Sequence, residues 1–188
     1  MATGAQVETL DVNEDASIAA LATKFTGKPL DLLINNAGIM LRMDTLKNVK
    51  SCEMEKTLRT NTIAPLMVTS AFYDHLKLAK KEGNSMPIVA HVSSNFASIS
   101  GNKMGNMYSL RASKTALNAI AKSMAVDLKK DGIAVALLTP GHVKTNMTKN
   151  QGTATPEESV GWMTKLIDEM DMSKSGVFFN TDGKTLPW

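Results

Sequence analysis

Several things are scarce in this sequence, and each scarcity removes a class of protein. One cysteine, Cys52, occurs in 188 residues, so no disulfide can close within the chain and no cysteine-built metal cluster is expected. Cys52 lies in a charged stretch that reads as a surface helix rather than a reactive thiol site. No apolar run approaches the ~20 residues of a membrane-spanning helix, and no secretory leader pattern is visible. Net charge is small, with 21 Lys and Arg against 18 Asp and Glu, +3 in all. The basic residues are scattered, which argues against a nucleic-acid-binding stripe. No Gly-x-Gly pair occurs anywhere, so the usual glycine turn that lets a backbone approach a pyrophosphate is missing. The expectation that remains is a soluble, cytoplasmic protein with no membrane contact, no nucleic acid and no metal. Its 43% of apolar residues is enough for a core, and its length suits one domain, 1–188.

The stretch that organises the rest is 106–130, NMYSLRASKTALNAIAKSMAVDLKK. It predicts one long helix entered through a polar loop, with Ala116, Leu117, Ile120, Met124 and Leu128 as its buried stripe and Gly132 as its stop. At the start of the chain, Val7 to Leu10 predicts a short strand. A helix follows, capped at Asn13 or Asp15, with Ile18, Leu21, Ala22 and Phe25 at i, i+3, i+4 and i+7, ending at Gly27. Leu30 to Ile34 predicts an apolar strand broken by Asn35-Asn36-Ala37-Gly38. A helix near Ser51 to Thr57 continues through Asn61 to Lys80. Pro87 to Val92, Ile133 to Leu138 and Gly176 to Asn180 predict further strands. Thr155-Pro156-Glu157-Glu158 starts a last helix, with Pro156 at its first position. Short all-apolar strands alternating with helices argue for an α/β fold, a mainly parallel sheet covered on both faces. Ligands of such sheets sit at the carboxyl ends of the strands. Asn35 to Gly38, Ser93-Ser94 and Pro140-Gly141 all fall there. Each alone reads equally as an ordinary turn after a strand; together with Lys114 they favour a site. His91, inside a strand, reads as a packed histidine, and His142 as a weak candidate for a ligand contact.

These motifs resemble the short-chain dehydrogenase/reductase family, closest to its C-factor-like and sniffer-like carbonyl reductases. The resemblance runs from Leu10 to Trp188. It implies a Rossmann-type three-layer αβα sandwich and hydride transfer between NADP or NAD and a small carbonyl or alcohol. Leu10-Asp11-Val12 is similar to the segment near the adenine, which gives Asp11 and Val12 as cofactor contacts. Asn35-Asn36-Ala37-Gly38 is similar to the family's Asn-Asn-Ala-Gly, which puts Asn36, Ala37 and Gly38 beside the cofactor. Thr60-Asn61-Thr62 resembles the site of the catalytic asparagine, Asn61, whose carbonyl holds a water linked to the lysine. Val92-Ser93-Ser94 resembles the strand end with the substrate-orienting serine, assigned to Ser94. Pro140-Gly141-His142-Val143-Lys144-Thr145 is similar to the Pro-Gly-x-Val-x-Thr segment that borders the nicotinamide, through Pro140, Gly141, Val143 and Thr145. The Tyr-x-x-x-Lys signature ends at Lys114, which bonds ribose hydroxyls and whose ammonium favours the phenolate of a tyrosine one turn before it.

Two departures weigh against that activity. The catalytic tyrosine position, four before Lys114, is Leu110, which neither donates nor accepts a proton. Tyr108 is the nearest substitute, but six residues at about 100° each set it far around a helix from Lys114; in a loop it would be freer. The family's first two strand–helix units, with their glycine turn, have no counterpart, so the expected fold is truncated by those two units. In the family's strand order, 3-2-1-4-5-6-7, this leaves Leu30 to Ile34 as an open apolar edge, on which the preceding segment either docks or is displaced. Pro65, lacking an N–H, predicts a kink that frees the Asn61 carbonyl, unless it opens a new helix and leaves Asn61 in a loop. The functional reading is a carbonyl-reductase-type oxidoreductase with little or no activity in this chain. The alternative is a non-catalytic relative acting by binding or assembly, or a truncated product with no activity of its own. The resemblance also implies a homodimer through the 61–80 and 107–130 helices, with the open sheet edge as a second candidate surface.

Overall fold

The computed structural model describes residues 4–82 and 86–188. Four strands, β1 (Leu32–Asn35), β2 (Ile88–Val92), β3 (Ala134–Leu138) and β4 (Val177–Phe179), form a parallel sheet in the order β1-β2-β3-β4. A helix α1 (Asp15–Lys24) precedes β1. Between β1 and β2 lie α2 (Ser51–Leu58), a π turn (Arg59–Ile63), α3 (Ala64–Ala71) and α4 (Tyr73–Glu82). Between β2 and β3 lies α5 (Tyr108–Asp127), and between β3 and β4 lies α6 (Pro156–Asp168). Among the described residues no helix is long and apolar enough to cross a membrane.

Strand periodicity sorts the core into two faces. Val89, Val135, Leu137 and Phe178 pack against Ala121, Met124 and Ala125 of α5, Leu128 just beyond it and Leu76 of α4. Ala90, Ala136, Leu138 and Phe179 pack against Ile167 and Met163 of α6. Ile18 and Ala22 of α1 close on Val68 of α3 and on Phe72, which follows it. The three-layer αβα arrangement is the expected one. Every residue of β3 has no exposed surface, and each large side chain so buried stabilises the fold by ~1.5–3 kcal/mol.

Local signals set the helix ends. Thr155 Oγ1 accepts from the Glu158 N–H while the Glu158 carboxylate accepts from the Thr155 N–H, and Pro156 occupies the first helical position. α5 runs out through a short 3-10 turn, Leu128–Asp131, and stops at Gly132 with φ +67°.

The structure corrects several local expectations. Val7 to Leu10 is not a strand. A strand exists only by pairing, no sheet edge receives these residues, and Val7 is 90% exposed. β1 therefore ends the sheet, with Leu32 and Ile34 on the same face as Ile88 and Ala90 but beyond the residues that pack against α6. The 61–80 helix is two helices, broken at Phe72. Pro65 opens a new helix, in the first turn of α3, as one alternative had it, but Asn61 is in no loop: it lies in the π turn, and the chain stays helical from α2 into α3. The long helix begins at Tyr108, where the polar entry loop ends; Gly105, Asn106 and Met107 all have positive φ. Of its predicted stripe, Leu117, Met124 and Leu128 are buried but Ala116 and Ile120 only half so. Lys114 and Asn118 take part in the buried face because the end of β2 offers them polar partners.

Candidate active site

Two side chains one helical turn apart tie α5 to the carboxyl end of β2. Lys114 Nζ donates to the Val92 carbonyl at 2.7 Å, and Ser93 Oγ donates to Asn118 Oδ1 at 2.6 Å. Lys114 is 7% exposed. Among the described residues no carboxylate pairs with it. Burial therefore acts on the ammonium unopposed and pulls its pKa down to about 8.

Gly38 leaves room beside this amine. A Cβ there would stand 3.5 Å from Lys114 Nζ and 3.4 Å from Asn61 Oδ1. Asn61 is fully buried, and its amide clamps the glycine loop to α5. Oδ1 accepts from the Ile39 N–H at 2.8 Å, and Nδ2 donates to the Ile39 carbonyl at 2.9 Å and to Ser113 Oγ at 3.1 Å. Its neighbours in the π turn reach elsewhere. Thr62 Oγ1 donates to the Ser113 carbonyl, and Thr60 Oγ1 to Asn13 Oδ1, each at 2.8 Å. The π turn thus joins three segments that are far apart in sequence, a common use of such turns at functional sites.

Beneath the site, His91 pairs in register with Asn35, whose Nδ2 lies 3.4 Å from His91 Nδ1 and donates to Thr69 Oγ1 at 3.1 Å. Burial, and secondly the Lys114 charge, lower the His91 pKa to about 4. It is a neutral packed histidine, with Nε2 unpartnered.

The other predicted residues lie around this centre. Ser94 is half-buried at the end of β2, its Oγ accepting from the Phe96 N–H at 3.2 Å. Asn36 and Ala37 are exposed on the loop before Gly38. On the neighbouring strand end, the Pro140 carbonyl accepts from Ser159 Oγ at 2.7 Å. Gly141 has φ +78°, and a Cβ there would lie 3.3 Å from the Trp162 ring, so two constraints require glycine. Val143 bridges to Ala154, and Thr145 opens the short turn Asn146–Thr148. Asp11 turns on itself, Oδ1 accepting from the Asn13 N–H at 2.9 Å, and Val12 packs beside α1 and α3. Arg59 donates to the Asn13 carbonyl at 2.8 Å, anchoring this segment at the π turn.

The fold brings together Gly38, Asn61 and Lys114, with Ser94, Pro140 and Gly141 at adjacent strand ends. It does not join Tyr108 to them. Tyr108 is the first residue of α5, 39% exposed, and makes no hydrogen bond to Lys114. Leu110, 8% exposed, fills the place one turn before Lys114, with Met40, Leu41 and Asp44 around a cavity of about 10 Å³. Asp44 had no sequence signal, and Ser113 had only its place beside Lys114. Asp44 is 2% exposed. Its carbonyl accepts from the Met107 N–H at 2.7 Å, and its carboxylate accepts from the Ser109 N–H at 3.1 Å and from Ser109 Oγ. It caps α5 from across the fold, but in sequence it is one polar loop residue among many.

Comparison with known proteins agrees with this geometry. The family model for short chain dehydrogenases matches residues 2–156. The C-signal protein of Myxococcus xanthus is 37% identical over 169 residues, 90% of this chain and 99% of that protein. The NADPH-bound carbonyl reductase from chicken fatty liver superposes with a TM-score of 0.89 at 37% identity, over 95% of this chain and 75% of that one. The carbonyl reductase Sniffer of D. melanogaster superposes with a TM-score of 0.92 at 33% identity, over 97% and 78%. By the family match, the sheet order and the residues gathered at its carboxyl edge, this chain belongs to the short chain dehydrogenase family, close to the carbonyl reductases of the Sniffer type.

Proposed function

We propose that this chain, acting as one domain, keeps the ribose and nicotinamide end of a carbonyl-reductase site but has little reductase activity of its own. The observation that carries this reading is Leu110, a buried hydrocarbon one turn before Lys114 where a proton donor would have to stand. The residues present fit part of a nicotinamide cofactor. Gly38 leaves space beside Lys114 Nζ. Lys114 as an ammonium has three donors and gives one to Val92, so two remain for ribose hydroxyls. Pro140, Gly141, Val143 and Thr145 would border the nicotinamide, while Asn36, Ala37, Asp11 and Val12 would line the adenosine side. Ser94 would orient a carbonyl oxygen through its hydroxyl proton. Asn61 would hold the glycine loop in place. No residue pattern here fits a pyrophosphate, which favours weak binding.

When bound, the cofactor supplies a hydride. Reduction of a small aldehyde or ketone also needs a proton, and losing its positioned donor costs ~10² to 10⁴ in rate. Tyr108 is the nearest phenol, and it stands roughly 240° around α5 from Lys114.

The test is a titration of the purified chain with NADPH, then NADH, followed by nicotinamide fluorescence. Saturable micromolar binding supports the retained half-site; no binding up to millimolar cofactor overturns it. In a chain that binds, Leu110→Tyr is expected to raise carbonyl reduction by ~10² to 10⁴, and an unchanged rate would show that the missing phenol is not what limits it. A second reading, a binding or assembly role without reduction, is favoured by the match over nearly the whole of a relative named C-signal. For it, the 61–80 and 107–130 helices offer exposed Ile63, Leu66 and Val126 as a homodimer face, with the β1 edge as the other surface. Size-exclusion chromatography separates a dimer from a monomer.

A further inference from the structure

A groove of about 410 Å³ runs between α5 and the 96–102 loop, and none of the residues assigned to the cofactor or the reaction lines it. That volume falls among those of small-molecule sites. Ala112, Ala116 and Ala119 recur at i, i+4 and i+7, so they share one face of α5 and give the groove a floor of methyl groups. Ile99, 70% exposed, stands on the loop side. The polar side chains here are engaged with nearby backbone. Ser98 Oγ accepts from the Gly101 N–H and Asn102 Oδ1 from the Gly105 N–H, each at 3.0 Å, and Thr115 Oγ1 donates to the Ala97 carbonyl at 2.9 Å.

One charged side chain lines the groove, Arg111. Its Cζ lies 4.8 Å from the centre of the Phe96 ring, and its Nε donates to the Asn106 carbonyl at 3.0 Å. These two contacts hold the guanidinium while its Nη groups make no hydrogen bond, and no carboxylate pairs with it among the described residues. A guanidinium held in this way has the fork that a carboxylate fits with two parallel bonds. The anion has to come from outside. Both walls belong to the stretch 83–126, which contains neither Asp nor Glu, so a second copy seated with this same face on the groove would supply no carboxylate to Arg111.

We propose that this groove binds a medium-chain alkyl carboxylate, with the carboxylate on the Arg111 Nη groups and the alkyl chain along Ala112, Ala116 and Ala119. Arg111 to Ala119 is eight residues, about 12 Å of helix, which matches the reach of such a chain. The site is separate from the reductase reading and needs no nicotinamide.

The experiment is calorimetric titration of the folded chain with sodium octanoate, and with 1-octanol as its uncharged counterpart, no nicotinamide present. Octanoate is expected to bind one to one and saturably, ~10-fold or more tighter than octanol. Arg111→Gln is expected to bring octanoate down to the affinity of octanol and to leave octanol unchanged, a split that loss of packing on Phe96 alone would not produce. Ala116→Leu, which fills the floor, is expected to weaken both ligands. No saturation at millimolar octanoate overturns the proposal, and so does equal affinity for octanol or an Arg111→Gln variant that binds octanoate as the parent does. A dimer on size-exclusion chromatography that takes up no octanoate would assign the groove to a second copy and overturns it as well. With cofactor absent, each result stands apart from the NADPH titration.

Discussion

Lys114 is held in the interior by one backbone carbonyl, and that makes its charge a liability below pH 8. Its pKa is about 8 folded and near 10.5 unfolded, so between these values the unfolded chain binds more protons and stability rises with pH. Below about pH 8 the full cost applies, ~3 kcal/mol from the shift of 2.5 between 10.5 and 8. Lys114→Met removes that charge and leaves the Val92 carbonyl without its donor, at ~1–3 kcal/mol. The variant is expected to gain on the parent at low pH and lose on it at high pH. Urea midpoints at pH 7 and pH 10 measure this; a difference that does not change with pH would show that Lys114 is not titrating in this window. The motif around Lys114 was visible in the sequence, and so were Asn61 and Gly38. What the sequence did not show is that Asn61 acts through its side chain, because Ile39 and Ser113 become its partners only when β1, the π turn and α5 converge.

Among the elements, α5 depends on a residue that lies on none. Its first residues carry unsatisfied N–H groups, and Met107, at the capping position, makes no side-chain bond to them. Asp44 supplies the cap through the Ser109 N–H and hydroxyl. Asp44→Ala is expected to lower stability by ~1–3 kcal/mol, read as a lower urea midpoint with the helical circular dichroism of the folded state kept. A midpoint within error of the parent would mean that solvent caps α5 equally well. The contrast with α6 shows what a sequence can disclose. Thr155, Pro156 and Glu158 are three residues apart at most, so their capping pattern is legible. Asp44 and Ser109 are 65 apart, and nothing local connects them. Val7 to Leu10 failed for the converse reason: its local pattern suits a strand, but strands need a partner edge that no local pattern supplies.

At the scale of the molecule, the sheet has one covered end and one open end. Phe178 on β4 stacks with Trp188 at 5.7 Å between centroids, while β1 presents Leu32 and Ile34, 36% and 49% exposed, at the open end. Exposed apolar edges promote self-association. Ile34→Lys is expected to leave the fold intact, since the position is half in solvent, and to reduce association measured by light scattering against concentration. A variant that associates as strongly as the parent would move the contact to the helix faces. The α/β class was legible because each strand is apolar on both sides, the mark of a sheet enclosed by helices. The order of strands has a further consequence, for biosynthesis. Each strand pairs with the one made just before it, so a ribosome releasing this chain never has to wait for a distant segment. β2 emerges onto β1, β3 onto β2 and β4 onto β3, and the sheet can be laid down vectorially, one strand per helical connection.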